Sequence, residues 1–110
     1  MKLPNGAKAT IEERKIREYL LSSSHPIGRF KARAFAAIGF GPENWRAFAD
    51  ALAQLAATGE AELEKEDKYG QKYLVVGALK GPQGQSAEVV SVWIVAAGRD
   101  TPRLVTVYPR

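Results

Sequence analysis

The segment WRAFADALAQLAATGEAELEKED, residues 45–67, decides the fold because the spacing of its apolar residues changes halfway along. Before Gly59 the apolar residues recur every three or four positions, which predicts an amphipathic helix that ends at this glycine. After Gly59 apolar and charged residues alternate, a pattern typical of a strand. We therefore expect a helix followed by a strand, and both patterns continue outward from this segment.

Two further helices are predicted upstream of this segment. Thr10 and Glu13 have the spacing of a capping box, so a first helix should begin after Thr10. A second helix should start between Pro26 and Gly28, and Pro42 suits the first turn of the third. The apolar face of the second helix is expected to consist of Ile27, Phe30, Ala34 and Ile38.

Four strands are predicted after the third helix, at residues 60–68, 71–79, 86–96 and 103–108. The short connections between them are rich in glycine and proline, which favours an antiparallel meander. We expect an α+β fold in which the three N-terminal helices pack on one face of a four-stranded antiparallel sheet. The length suits a single domain, residues 1–110.

The composition excludes several classes of site. The chain has no cysteine, so disulfides, thiolate metal sites and cysteine catalysis are ruled out. One histidine without an HExxH-type pair argues against zinc, and we expect neither a metal nor a cofactor. Neither a membrane-spanning run nor a signal peptide is visible in the sequence. A cytoplasmic location is expected, unless the chain is a domain of a longer exported protein.

Charge is distributed unevenly along a chain whose net charge is +4. Residues 1–35 carry eight cations and three anions, residues 36–68 three and seven, and residues 69–110 five and two. The two basic ends could converge on one face, which would suit RNA or another acidic partner. An unevenly charged, solvated surface without a partner is equally compatible with this distribution.

The stretch HPIGRFKAR, residues 25–33, concentrates the groups best suited to chemistry. A helix start has unpaired N–H groups and a positive dipole end, and Arg29 and Lys31 would add charge there. This junction therefore predicts a phosphate or carboxylate site. Histidine is the side chain that ordinarily titrates near neutral pH, so His25 is the candidate acid or base. The plainer interpretation is that Arg29 and Lys31 are solvated helix charges and that His25 is a cap.

Alternation along the last two strands predicts the two faces of the sheet. The residues expected to face the helices are Val90, Val92, Ile94, Val105 and Val107. The opposite, open face should carry Ser91, Trp93, Leu104, Thr106 and Tyr108. Hydroxyl groups beside aromatic rings suit single-stranded RNA or DNA, although the same residue types simply favour strands. A β-bulge between Val89 and Val95 would exchange the faces beyond it.

Residues 19–32, YLLSSSHPIGRFKA, resemble an uncharacterised bacterial toxin-associated domain family. The shared pattern is tyrosine-x-leucine followed by HPxGxxKA, and the two final strands also look like those of the family. Its members occur as small proteins and at the C-termini of large polymorphic toxins. The order of elements is similar to that of the barnase, EndoU, colicin and RelE-like ribonuclease superfamily.

The resemblance implies a metal-independent endoribonuclease of toxin type, with RNA as substrate and a cognate antitoxin or immunity protein as partner. The residues that it implies as catalytic are His25, Lys31 and Tyr108. Those that it implies as RNA-binding are Arg29, Ser91, Trp93 and Thr106. With a single histidine, a mechanism that uses two histidines is not available. The alternatives are a non-catalytic module of the same fold that binds nucleic acid or protein, and an inactive relative of the toxins.

Overall fold

Three helices precede the sheet in the computed structural model, which describes residues 1–22, 24 and 29–110. Helix α1 comprises Glu13–Lys15 and continues as the π-helical segment Ile16–Leu20, α2 comprises Arg29–Ala36, and α3 comprises Trp45–Thr58. Two short 3-10 helices lie at Gly6–Lys8 and Pro42–Asn44. None of the helices in these ranges has the length and apolar character needed to cross a membrane.

A four-stranded antiparallel sheet follows the helices. Its strands are β1 (Glu60–Asp67), β2 (Gly70–Lys80), β3 (Ser86–Ala96) and β4 (Arg103–Pro109), hydrogen-bonded in the order β1-β2-β3-β4. The predicted α+β class and antiparallel meander are confirmed, and each strand ends within one residue of its predicted bound. The packing of all three helices on one face of the sheet stays a prediction.

The turn between β1 and β2 depends on a glycine. Gly70 has a φ of 135°, a conformation that side chains of L-residues rarely adopt. A Cβ atom at this position would collide with the carbonyl oxygen of Val95 on the neighbouring strand. The Asp67 carboxylate accepts a 2.9 Å hydrogen bond from the N–H of Tyr69 and closes the turn.

The first helix begins later than predicted, and the capping box is wrong. Its N-cap is Glu12, in an extended conformation and without a side-chain capping bond. Thr10 pairs with the start of β4 instead: its N–H donates to Pro102 at 2.9 Å, and its carbonyl accepts from Leu104 at 3.0 Å. The backbone of Thr10 is therefore held in an isolated parallel β-bridge with Arg103 and does not lead directly into α1.

The buried side of α2 also differs from the prediction. Ala32 and Phe35 are buried, whereas Phe30 is 62% exposed. The helix ends at Ala36, so the buried Ile38 lies beyond it and not on its face. Ile38 was assigned to the helix because the periodicity was extended past its end. Outside the described residues lie Ile27 and the predicted helix start, Pro26 to Gly28.

The hydrophobic core joins α3 to one face of the sheet. Phe48 is fully buried, and its ring makes edge contacts with Phe35 at 4.9 Å and Phe40 at 5.1 Å between centroids. Leu55 lies over Gly77 of β2, where a Cβ atom would be 2.7 Å from Cδ1 of this leucine. The residues of the sheet that belong to the core are Ala61, Tyr73, Val75, Leu79, Val89, Trp93, Leu104 and Val107.

The two faces of β3 are the reverse of the prediction. Ser91 and Trp93 have no exposed surface, and both lie on the core face, in line with Val89. The hydroxyl of Ser91 donates to the carbonyl of Val75 and accepts from Nε1 of Trp93, both at 2.8 Å. Because each polar atom has a partner, their burial costs little. Val90 and Val92 occupy the other face.

A β-bulge on β4 accounts for the remaining differences. Val92 pairs with Thr106 while the next residue of β3, Trp93, pairs with Leu104, so Val105 is the extra residue. The bulge lets Leu104 and Val107 both enter the core, although simple alternation would place them on opposite faces. The expectation that Leu104 lies on the open face is therefore wrong.

Candidate functional site

Lys31, on the first turn of α2, reaches the last strand of the sheet. Its ammonium donates a 2.9 Å hydrogen bond to the hydroxyl of Thr106 and lies 5.1 Å from the centroid of the Tyr19 ring. All three side chains are half-buried. A cation held between a hydroxyl and an aromatic face has a defined position. The structure thus brings together Lys31 and Thr106, which were predicted on two separate elements.

An open groove of about 510 Å³ lies beside this contact, between α1 and β4. Its lining consists of Glu12, Arg14, Lys15, Glu18, Tyr19, Val105 and Thr106. The ammonium of Lys15 donates a 2.8 Å hydrogen bond to the carbonyl of Val105, the bulged residue of β4. The carboxylate of Glu18 accepts a 2.7 Å hydrogen bond from Arg14, which raises the pKa of that guanidinium. The lining therefore contains two cations, Arg14 and Lys15, and two anions, Glu12 and Glu18, and each cation is held in place by a specific contact.

The π-helical segment after α1 supplies one wall of the groove. The N–H of Leu21 donates to the carbonyl of Ile16 at 2.8 Å, and the fully buried Ile16 and Leu20 anchor the segment in the core. Such segments are frequent at functional sites. Lys15 and Tyr19 were missed as site residues by the sequence analysis. Their spacing of four residues in a predicted helix, which places a cation and a ring on one face, was the available signal.

Arg29 lies apart from Lys31. It is exposed at the start of α2, with its guanidinium 4.9 Å from the ring centroid of Phe30. Together with Arg33 and Glu43, it lines a second groove of about 540 Å³. Arg29 thus lines a different groove from the one lined by Tyr19 and Thr106, the two residues that contact Lys31. The predicted acid or base, His25, lies outside the described residues.

The remaining predicted residues separate into two groups. Tyr108 is 38% exposed and lies two residues from Thr106 on β4, which puts both side chains on one face of the strand. Ser91 and Trp93 lie on the core face and have no exposed surface. The prediction that they belong to an open binding platform is wrong, because a ring without exposed surface cannot stack on a base.

One solved structure with a similar fold is described as "Contact-dependent growth inhibition toxin - immunity protein complex from Klebsiella pneumoniae 342". The similarity has a TM-score of 0.71 and covers 96% of this chain and 97% of the matched chain. The sequences are 17% identical, so the likeness concerns the fold alone. No curated protein matches the chain.

A family match extends over almost the whole sequence. A family model described as "Domain of unknown function (DUF6883)" matches residues 2–110. The match includes the helices, the sheet and the groove between α1 and β4. The protein therefore belongs to the DUF6883 family.

Proposed function

We propose that this chain is a toxin domain that cleaves RNA without a metal ion and is neutralised by a cognate immunity protein. The observation that carries the proposal is the ammonium of Lys31, fixed between the Thr106 hydroxyl and the Tyr19 ring beside an open groove. A cation positioned in this way can stabilise negative charge that develops on a phosphate during reaction. The fold likeness to a chain of a toxin–immunity complex supports the toxin class.

Metal-independent cleavage of RNA requires three kinds of group. A base takes the proton of the 2′-hydroxyl, whose oxygen then attacks the phosphorus. A cation stabilises the added negative charge on the phosphoryl oxygens. An acid gives a proton to the 5′ oxygen as its bond to phosphorus breaks. The products are a 2′,3′-cyclic phosphate and a 5′-hydroxyl.

Lys31 is the cation in this scheme. The Thr106 hydroxyl accepts a bond from Lys31 and keeps its own hydrogen, which it can donate to a phosphate oxygen. His25 is the proposed base or acid because imidazole exchanges a proton near neutral pH. The phenol of Tyr108 is the proposed partner for the second proton transfer. Arg29, against the other groove, binds the RNA backbone beyond the cleaved bond.

Two residues that were expected to contact RNA are not part of the proposed site. Ser91 and Trp93 stabilise the core and have no surface that RNA could reach. Tyr19 is added to the proposed site because its ring lies against the ammonium of Lys31. The binding of RNA then depends on cations and hydroxyl groups beside the groove and not on stacking against β3.

The burial of Ser91 and Trp93 favours a second candidate, a non-catalytic module. Without these two residues, fewer groups for chemistry remain at the surface of the sheet. The same cations would then bind phosphates without cleavage. RNA that stays intact in the presence of the protein distinguishes this candidate from a ribonuclease.

Inducible expression in bacterial cells tests the proposal. We expect the wild-type chain to arrest growth and to produce new RNA fragments, and the His25→Ala/Lys31→Ala variant to do neither. Lys80→Ala is the control. It removes one exposed lysine at the C-terminal end of β2, outside the residues proposed for the site, and should behave as wild type. Growth arrest with intact RNA would contradict a ribonuclease. Normal growth and intact RNA with all three chains would favour the binding module.

A further inference from the structure

A row of side chains crosses all four strands at one end of the sheet. Lys65 of β1 is paired directly with Lys72 of β2, Lys72 with Ile94 of β3, and Ile94 with Arg103 of β4. Directly paired residues of antiparallel strands lie on the same face. Adjacent strands are about 4.8 Å apart, so the row extends over roughly 14 Å. We call these four residues the cationic row.

The cationic row lies on the face opposite the core. Its residue Ile94 follows Trp93, whose side chain is buried on the core face, and neighbouring residues of a strand point to opposite faces. Lys65 and Arg103 are exposed, and Lys72 and Ile94 are half-buried. The two lysines and the arginine therefore present their charges at the surface.

Two grooves meet at the cationic row and share Ile94. One, of about 180 Å³, lies on the β1 side and is lined by Lys65, Asp67, Tyr69, Gly70, Lys72 and Ile94. The other, of about 240 Å³, lies on the β4 side and is lined by Thr10, Ile94, Ala96, Arg99, Thr101 and Arg103. Among these described residues four are cations and one, Asp67, is an anion. The two grooves therefore adjoin at Ile94, and their combined lining has a net positive charge.

An exposed aromatic ring lies at the β1 end of this surface. Tyr69 is 67% exposed, and the ammonium of Lys68 lies 5.2 Å from its ring centroid. Asp67 offsets part of the charge, since it lies 3.5 Å from the ammonium of Lys65. A ring beside several cations is the combination that binds single-stranded nucleic acid, because bases stack on the ring while cations contact phosphates.

The cationic row also adjoins the Lys31–Thr106 contact. Thr106 is paired with Val92, which lies two residues from Ile94 on the same face of β3. Two residues of a strand span about 7 Å. A strand of RNA lying along the row would therefore pass from β1 across Ile94 to the neighbourhood of Thr106.

We propose that the cationic row binds the backbone of single-stranded RNA and leads the strand toward Lys31. The inference deepens the proposed ribonuclease function and rests on it for the identity of the ligand. The exposed ring of Tyr69 favours RNA over an acidic protein, since it offers a surface for base stacking.

Binding of an oligonucleotide that cannot be cleaved tests the row independently of catalysis. The probe is a fluorescent 2′-O-methyl oligouridylate of about 12 nucleotides, within the size range of single-strand sites. Without a 2′-hydroxyl it lacks the attacking oxygen, so the intact wild-type chain can be used. We expect Lys72→Ala/Arg103→Ala to bind about tenfold more weakly. The slope of log K against log salt concentration should become shallower by about 1.4, because two phosphate contacts are removed and each contributes about 0.7 in a single strand.

The matched control is Lys80→Ala/Arg46→Ala, which removes the same charge. Lys80 lies at the other end of β2 and Arg46 on α3, and we expect wild-type affinity and slope. Tyr69→Ala is a second test variant, and it should weaken binding without changing the slope, because it removes a ring but no charge. Urea unfolding of each variant identifies any loss caused by misfolding.

Equal affinity of the row variant and its control would overturn the inference. It would leave the proposed function intact, since that is read from the cleavage of unmodified RNA. Polyglutamate is titrated in parallel. If the row variant loses affinity for polyglutamate but keeps its affinity for the oligonucleotide, the surface binds an acidic protein and the inference is also overturned.

Discussion

The ammonium of Lys31 and the hydroxyl of Thr106 are 2.9 Å apart although 75 positions separate them in the sequence. The contact joins α2 to β4, so it forms only when the helix and the sheet have both folded. It also unites the basic N-terminal part of the chain with the basic C-terminal part. The candidate site is therefore a product of the tertiary structure and not of a local motif.

We expect Lys31→Gln to reduce RNA cleavage by about 100- to 1000-fold, the effect of removing one group that stabilises the transition state. Thr106→Val keeps the shape of the side chain and should lower kcat/KM by about 10- to 100-fold, since a hydrogen bond to a charged group is worth about 1.5–3 kcal/mol. Because the Thr106 hydroxyl holds the ammonium of Lys31 in place, the double variant should lose less activity than the product of the two single effects. Steady-state kinetics on RNA measure all three. Fully independent effects would show that Thr106 does not position Lys31.

Ser91→Ala should lower the free energy of unfolding by about 1–3 kcal/mol, because Nε1 of Trp93 would be left buried without an acceptor. Ser86→Ala is the matched control on the same strand, and as an exposed residue it should change stability by less than about 0.5 kcal/mol. Urea unfolding measures both variants. Loss of cleavage with unchanged stability in Ser91→Ala would contradict this purely structural role and support the predicted role in RNA binding.

Phe35→Ala should cost about 3–5 kcal/mol of stability, since the ring is buried against Phe48. Phe30→Ala, on the same helix, should cost less than about 0.5 kcal/mol because Phe30 is largely exposed. Chemical denaturation of the two variants decides which side of α2 is buried. Similar losses for both would contradict the observed orientation of the helix.

Gly70→Ala should destabilise the protein more than Gly84→Ala. Both glycines have positive φ, but a Cβ atom at Gly70 would collide with the carbonyl of Val95, whereas one at Gly84 would have no neighbour within 4 Å. The collision should add about 1–3 kcal/mol to the cost of the strained φ. Thermal and urea unfolding compare the two. Equal losses of stability in the two variants would contradict this expectation, because they would mean that the backbone around Gly70 shifts enough to accommodate the added Cβ atom.

Much of the architecture could be predicted from the sequence because its signals are local. Alternating residues and glycine-rich turns placed all four strands, and the apolar face of α3 around Phe48 and Leu52 is confirmed. Thr10 shows where local reasoning fails, since its backbone pairs with Pro102 and Leu104 at the far end of the chain. A capping motif cannot reveal such a partner.

The faces of the central strand β3 could not be predicted because valines occupy both sides of it. Ser91 was predicted to lie on the open face, but it is buried and hydrogen-bonded to the carbonyl of Val75 on the neighbouring strand and to Nε1 of Trp93 two residues along β3. The bulge at Val105 then shifted the alternation of β4. Lys31 and Thr106 were nevertheless both identified as candidates, because residue type and position in an element were sufficient for them.

Cleavage of unmodified RNA by the purified chain in the presence of a chelator tests the central claim most directly. Wild type and Lys80→Gln should cut the RNA at equal rates and leave 2′,3′-cyclic phosphate ends, and Lys31→Gln should be at least about 100-fold slower. RNA left intact by the wild-type chain, or cut equally fast by Lys31→Gln, would contradict a metal-independent ribonuclease built around Lys31.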